Sequence, residues 1–131
     1  MPEATKQAKI FVVDDELIIA STLATILQRN GFDAISFTEP LEAVKAARDK
    51  APDLLISDVV MPQLSGVDLA ILLRGYHPTC KVLLFSGQAA TADLLEAARG
   101  KGHYFEVLAK PIHPTELLSK IRKVTADPVS T

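Results

Sequence analysis

Five short apolar runs alternate along the chain with five longer segments of amphipathic pattern. The runs cover residues 10–13, 34–37, 54–57, 81–85 and 105–109 and consist mainly of valine, isoleucine, leucine and phenylalanine. Short apolar runs bounded by turn residues are typical of buried strands. The pattern therefore predicts five strands.

Helical spacing of the apolar residues predicts five helices between and after these strands, over residues 16–30, 41–49, 67–74, 92–99 and 115–124. Gly31 is expected to end the first helix. Thr38 is predicted to be the N-cap of the second helix, with Pro40 as an early helical residue. The result is a regular alternation of strand and helix.

This alternation favours an α/β fold in which a parallel sheet is covered on both faces and its strands are joined by right-handed crossovers. A chain of 131 residues suits one domain, and 48% hydrophobic with 23% charged residues is close to the average for soluble domains. We predict a single domain over residues 9–124, with tails at residues 1–8 and 125–131.

The charge balance gives no reason to expect contact with nucleic acid. The formal net charge is −2, with 14 Lys and Arg against 16 Asp and Glu, and no basic face stands out. Cys80 is the single cysteine, which excludes an internal disulfide and a cysteine-rich metal site. No signal-peptide pattern or membrane-length apolar stretch is present, so we predict a cytoplasmic protein without membrane contact.

Polar residues stand where four of the predicted strands end, at Asp14, Asp15, Asp58, Ser86 and Lys110. Because the carboxyl ends of parallel strands share one edge of the sheet, we expect these side chains to converge. Three crowded carboxylates repel one another, and a hard divalent cation such as Mg²⁺ relieves that repulsion. The pattern indicates a magnesium site with a nucleophilic carboxylate, beside a hydroxyl and an ammonium that hold an anion.

These residues resemble the receiver domain of two-component response regulators, over about residues 9–124. Adjacent aspartates or a Lys-Pro pair are common, and the specificity comes from the ordered combination at strand ends. The matching elements are Asp14-Asp15, Asp58-Val-Val-Met-Pro followed by Gly66, Ser86-Gly87 and Lys110-Pro111. The resemblance implies a flavodoxin-like, doubly wound sheet of strand order 2-1-3-4-5, with strands one and three side by side.

The resemblance also implies roles for the acidic residues. Asp58 matches the aspartate that accepts a phosphoryl group from a phosphohistidine. Asp15 matches the direct ligand of Mg²⁺, and Asp14 matches a partner that binds the ion mainly through water. Asp58 and the backbone carbonyl of Val60 would complete the protein ligands.

Lys110 and Ser86 match the residues that contact the phosphoryl oxygens in receivers. The implied donor is a sensor histidine kinase or a phosphotransfer protein, and the implied recipient of the signal is a downstream protein target. Such a domain is a signalling switch that assists its own phosphorylation and dephosphorylation, rather than an enzyme acting on a separate substrate.

Purely structural interpretations compete at three positions. Asp14 could cap the first helix, Ser86 could be a loop hydroxyl bonded to its own backbone, and Lys110 could be a solvated surface charge. The chain also departs from receivers at Val107, where they usually carry Tyr or Phe, and at residues 100–103, which lack the usual Gly-Ala turn. These departures predict an altered output face.

Three functions remain open from the sequence. The first is a phosphoacceptor switch that acts through a protein partner or passes the phosphoryl group along a relay. The second is the receiver part of a longer regulator, either DNA-binding or fused to a kinase. The third is a phosphohydrolase with Asp58 as nucleophile, which ranks last because Val60 stands where such enzymes carry a second acidic residue.

Overall fold

The computed structural model describes residues 7–87 and 91–126, so much of each predicted tail and residues 88–90 lie outside the described residues. The strands are β1 (Lys9–Val13), β2 (Asp33–Phe37), β3 (Leu54–Asp58), β4 (Lys81–Ser86) and β5 (Glu106–Ala109). The helices are α1 (Leu17–Arg29), α2 (Pro40–Asp49), α3 (Gly66–Tyr76), α4 (Thr91–Gly100) and α5 (Pro114–Ala126). Within this part of the chain, no helix is long and apolar enough to cross a membrane.

The sheet has the strand order β2-β1-β3-β4-β5, and every neighbouring pair of strands is parallel. The predicted doubly wound α/β fold is therefore confirmed. In the register of β1 with β3, Val13 lies opposite Ser57. The next residues on the two chain segments, Asp14 after β1 and Asp58 at the end of β3, consequently lie side by side at the carboxyl edge of the sheet.

Alternate residues of the central strands enter two separate cores. Phe11 and Val13 pack on the face covered by α2, α3 and α4. Ile10 and Val12 pack on the opposite face, against α1 and α5. Because both faces of the sheet are buried, its central strands read as continuous apolar runs and not as alternating ones.

Each of the five helices starts one residue away from its predicted position, α1 one residue later and the other four one residue earlier. The N-cap position of α2 is Glu39, which makes no side-chain cap hydrogen bond, so the assignment of Thr38 as N-cap was wrong. Helix α3 starts at Gly66, one residue earlier than predicted. Its start is stabilised by Ser65, whose Oγ accepts a hydrogen bond from the Asp68 N–H at 3.1 Å.

Candidate functional site

Three carboxylates converge at the carboxyl edge of the sheet. Asp14 and Asp15 directly follow β1, and Asp58 is the last residue of β3. One carboxylate oxygen of each lies within 4.8 Å of the other two. Asp14 and Asp58 are buried, whereas Asp15 is exposed to solvent. The cluster thus has a buried floor and one side that is open to an incoming ion.

Asp14 uses its two oxygens differently. Oδ1 accepts a hydrogen bond from the Glu16 N–H at 2.9 Å, just before α1 begins. Oδ2 lies 3.4 Å from the Lys110 ammonium. The N-cap residue of α1 is Glu16 and α1 has no side-chain cap hydrogen bond, so Asp14 does not cap the helix; its Oδ1 binds the backbone just before α1, and its Oδ2 belongs to the charged cluster.

Lys110 reaches the cluster from the residue that follows β5. Its Nζ lies 3.3 Å from Asp58 Oδ2 as well as 3.4 Å from Asp14 Oδ2. Its backbone N–H donates to the Ser86 carbonyl at 3.2 Å, which extends the pairing of β5 with β4. Lys110 is therefore an internal partner of the carboxylates, and the surface-charge interpretation does not describe its position.

The charges in this cluster affect one another. Burial raises the pKa of Asp58, and Asp14 and Asp15 add to that effect while Lys110 opposes it. Burial alone would lower the pKa of Lys110, but the carboxylates of Asp14 and Asp58 outweigh it and the pKa is raised. Lys110 is consequently an ammonium at neutral pH, beside a carboxylate that is costly to keep charged.

The remaining predicted residues lie at the same edge. Ser86 is the last residue of β4, is largely buried, and pairs with Ala109 in the sheet. Val60 follows Asp58 by two residues and has an exposed side chain. Val59, which lies between Asp58 and Val60, is held to β4 because its N–H donates to the Phe85 carbonyl at 3.1 Å.

Gly66 is required by a close approach of two backbone segments. Its N–H donates to the Val59 carbonyl at 2.8 Å, which fixes the start of α3 against the end of β3. A Cβ atom at this position would lie 2.1 Å from the carbonyl oxygen of Asp58. Glycine therefore permits the packing that sets the backbone of Asp58.

Phe85 is part of the site and was missed from the sequence. The ring of this fully buried residue has its centroid 5.1 Å from the Lys110 Nζ. The contact depends on the register of β4 with β5, which the sequence does not show: Phe85 pairs with Leu108, and Lys110, two residues after Leu108, lies on the same face of the sheet. The apolar strand pattern concealed it, because Phe85 reads there as an ordinary core residue.

The chain matches known proteins over most of its described length. The sequence family "Response regulator receiver domain" matches residues 10–122. The transcriptional regulatory protein CreB of Escherichia coli is 35% identical over 114 residues, and the alkaline phosphatase synthesis transcriptional regulatory protein PhoP of Bacillus subtilis is 32% identical over 117 residues. These alignments cover 86% and 88% of this chain and 48% of each relative, so the chain spans about half their length.

A solved structure gives the same assignment. The response regulator receiver domain protein from Clostridium thermocellum superimposes with a TM-score of 0.79 at 26% identity, covering 91% of this chain and 94% of the other. The five-stranded sheet and its strand order are thus those of a known fold. The chain belongs to the response regulator receiver domain family of two-component signal transduction.

Proposed function

We propose that Asp58 is the phosphoacceptor of this receiver and takes its phosphoryl group from a phosphohistidine on a sensor histidine kinase or phosphotransfer protein. The convergence of Asp14, Asp15 and Asp58 within 4.8 Å, with Lys110 at 3.3 Å from Asp58, is the observation that carries the proposal. It places a buried, cation-flanked carboxylate at an open sheet edge, where a protein donor can reach it.

In the transfer, an Asp58 carboxylate oxygen attacks phosphorus. A P–O bond forms, the P–N bond of the phosphohistidine breaks, and the imidazole leaves with the electron pair. Lys110 and Ser86 bind phosphoryl oxygens and hold the group in line, so that positioning and electrostatics lower the barrier. The same residues also assist the later hydrolysis of the acyl phosphate, which makes the domain a self-timed switch.

The residues present fit a bound Mg²⁺. Three carboxylates and one ammonium leave two negative charges in the cluster, and carboxylate oxygens are the ligands that Mg²⁺ prefers. We assign direct contact to Asp15 and Asp58, contact mainly through water to Asp14, and one backbone carbonyl to Val60. When bound, Mg²⁺ neutralises the carboxylates and stabilises charge on the phosphoryl oxygens.

The signal then passes to a protein target or to an output domain in the same polypeptide. The second route is favoured by the relatives, since CreB and PhoP are transcriptional regulatory proteins and are about twice as long as the matching segment. A cytoplasmic location stays a prediction. A phosphohydrolase remains the weakest alternative, because the exposed Val60 has no group able to act as acid or base.

The test is to incubate the protein with Mg²⁺ and acetyl phosphate and to determine its intact mass. We expect a gain of one phosphoryl group that hydroxylamine removes, as it removes acyl phosphates. Asp58→Asn should abolish the gain, whereas the control Asp49→Asn, at an exposed aspartate on α2, should retain it. Labelling of Asp58→Asn at the wild-type rate, or a hydroxylamine-resistant adduct, would overturn the assignment.

A further inference from the structure

We propose that Phe85 is a positioning residue for phosphoryl transfer, whose ring holds the Lys110 ammonium beside Asp58 when a metal ion occupies the carboxylates. The proposal rests on the function proposed above and adds a residue outside the family's motif positions. Phe85 acts through Lys110 and does not itself touch the reacting atoms.

The geometry gives the Lys110 ammonium three contacts of two kinds, two with carboxylates and one with an aromatic ring. Its Nζ lies 3.3 Å from Asp58 Oδ2, 3.4 Å from Asp14 Oδ2 and 5.1 Å from the centroid of the Phe85 ring. The side-chain stem passes Gly87, where an added Cβ would meet the Lys110 Cβ at an ordinary contact distance of 3.6 Å. The Lys110 backbone N–H donates to the Ser86 carbonyl at 3.2 Å, so the backbone and the ammonium of this lysine both contact the end of β4.

The carboxylate contacts and the ring contact respond differently to metal. Asp14 and Asp58 are proposed to hold Mg²⁺, Asp14 mainly through water, and both pair with Lys110, so a bound ion would compete with the ammonium for the charge of these carboxylates. The Phe85 ring is not a ligand for Mg²⁺. Its attraction for the ammonium therefore remains when the ion weakens the two salt bridges.

The surroundings of Phe85 favour this role. The ring is fully buried and forms one wall of a groove of about 520 Å³ beside Lys110. The other walls are mainly apolar and include Ile18, Ile19 and Pro111. Attraction between a cation and an aromatic face is stronger where water is excluded, and here the ring is fully buried while the Lys110 side chain is 27% exposed, so the contact is partly shielded from water.

The test compares Phe85→Leu with wild type in the rate of phosphorylation by acetyl phosphate at saturating Mg²⁺. We expect the rate to fall about fivefold while Mg²⁺ affinity, measured by calorimetry, changes less than twofold. Phe85→Tyr keeps the aromatic face and should keep the rate. The matched control is Phe11→Leu, since Phe11 is equally buried on the other sheet face and its ring contacts Phe37.

A double-mutant cycle separates positioning from packing. In a Lys110→Met background, Phe85→Leu should have no further effect on the rate, because the group that the ring holds is gone. An unchanged rate for Phe85→Leu, an equal loss in the Lys110→Met background, or a parallel loss of Mg²⁺ affinity would overturn the proposal. Wild-type protein that takes up no phosphoryl group at all would instead overturn the proposed function.

A measurement on the wild type does not depend on a folded variant. Protons on the lysine methylene next to Nζ should show an upfield ring-current shift in NMR spectra, because they lie near an aromatic face. We expect this shift to persist with Mg²⁺ and the phosphoryl mimic beryllofluoride. Its disappearance in that complex would show that Lys110 leaves the ring and would overturn the proposal.

Discussion

At the scale of residues, the site balances burial against charge. Asp58 combines the need for a reactive, negatively charged carboxylate with a location where burial and two neighbouring aspartates oppose that charge. Lys110 compensates in part, since it contacts two of the three carboxylates. We therefore expect the acidic cluster to destabilise the metal-free fold, which is a common trade between stability and function.

The first prediction is that Asp58→Asn stabilises the metal-free protein by about 1 kcal/mol at neutral pH. The pKa of Asp58 is raised above its ordinary value of 3.8, so the folded state binds the proton more tightly than the unfolded state does. Wild-type stability therefore falls as the pH rises through the raised pKa. Lys110 retains its contact with Asp14 in the variant.

Urea unfolding in the presence of a chelator, at a series of pH values, measures this effect. The advantage of Asp58→Asn should shrink as the pH falls, because the wild-type carboxyl group then becomes protonated and loses its unfavourable charge. A variant that is less stable than wild type at neutral pH would contradict the prediction.

A second prediction concerns the two adjacent aspartates. Asp15→Asn should reduce Mg²⁺ affinity and metal-dependent phosphorylation more than Asp14→Asn does, because Asp15 is exposed beside the cluster while both Asp14 oxygens already have protein partners. Asp14→Asn should instead lower stability, since it removes a buried charge paired with Lys110.

Calorimetric titration with Mg²⁺ and urea unfolding of the same two variants provide the comparison. Equal loss of Mg²⁺ affinity in both variants would contradict the assignment of Asp15 as the direct ligand. Phosphorylation that proceeds equally well with and without a chelator would remove the metal from the mechanism altogether.

At the scale of elements, the sequence predicts the five strands from short apolar runs and the five helices from apolar residues at helical spacing. It predicts their ends less well. Helix α3 begins at Gly66 through the Ser65 cap, and α2 begins without a side-chain cap, so Thr38 has no such role. These ends depend on single hydrogen bonds that periodicity does not encode, although the Ser-x-x-Asp spacing at Ser65 was a readable signal.

Some features of the candidate site were likewise predicted in advance, and others were not. The carboxylates of Asp14 and Asp58 could be placed together before the structure was known, because the strand order implied by the resemblance to receivers puts them on neighbouring strands. The contact between Phe85 and Lys110 could not, since it depends on the direction of two side chains across a paired strand. Gly66 was found only as part of a motif, and its physical reason became visible in the approach of α3 to β3.

The third prediction follows from that approach. Gly66→Ala should destabilise the protein by about 1–3 kcal/mol and slow phosphorylation, because its Cβ would lie 2.1 Å from the Asp58 carbonyl oxygen and would displace the backbone of the phosphoacceptor. Gly75→Ala in the same helix is the control. A Cβ there meets no atom within 4 Å, and the higher helix propensity of alanine should stabilise α3 by up to about 1 kcal/mol.

Thermal or urea unfolding measures both variants, and the acetyl phosphate reaction measures their function. If Gly66→Ala were as stable and as reactive as wild type, the backbone contact between α3 and β3 would not control Asp58. Equal destabilisation by both substitutions would point to a general intolerance of changes in α3.

At the scale of the whole molecule, the positions at which the sequence differs from the usual receiver pattern are Val107 and residues 100–103. They lie in β5, an edge strand of the sheet, and in the segment that leads into it. Val107 is half-buried and packs against the core under α2, α3 and α4. Phe105 lies against the Arg74 guanidinium at 5.0 Å, while Tyr104 is 70% exposed. Neither aromatic ring occupies the position of Val107, and valine has no ring to rotate between two packed arrangements.

The last prediction is that phosphorylation changes α4 more than β5. Of the α4 side chains that the structure describes, Ala98 alone is buried, so local opening of this helix costs little free energy. Hydrogen exchange with and without beryllofluoride should show the largest changes within residues 86–103, of which 88–90 lie outside the described residues, and small changes over residues 105–109. If residues 105–109 change most, Phe105 or Tyr104 has taken over the aromatic role, and coupling runs through β5 after all.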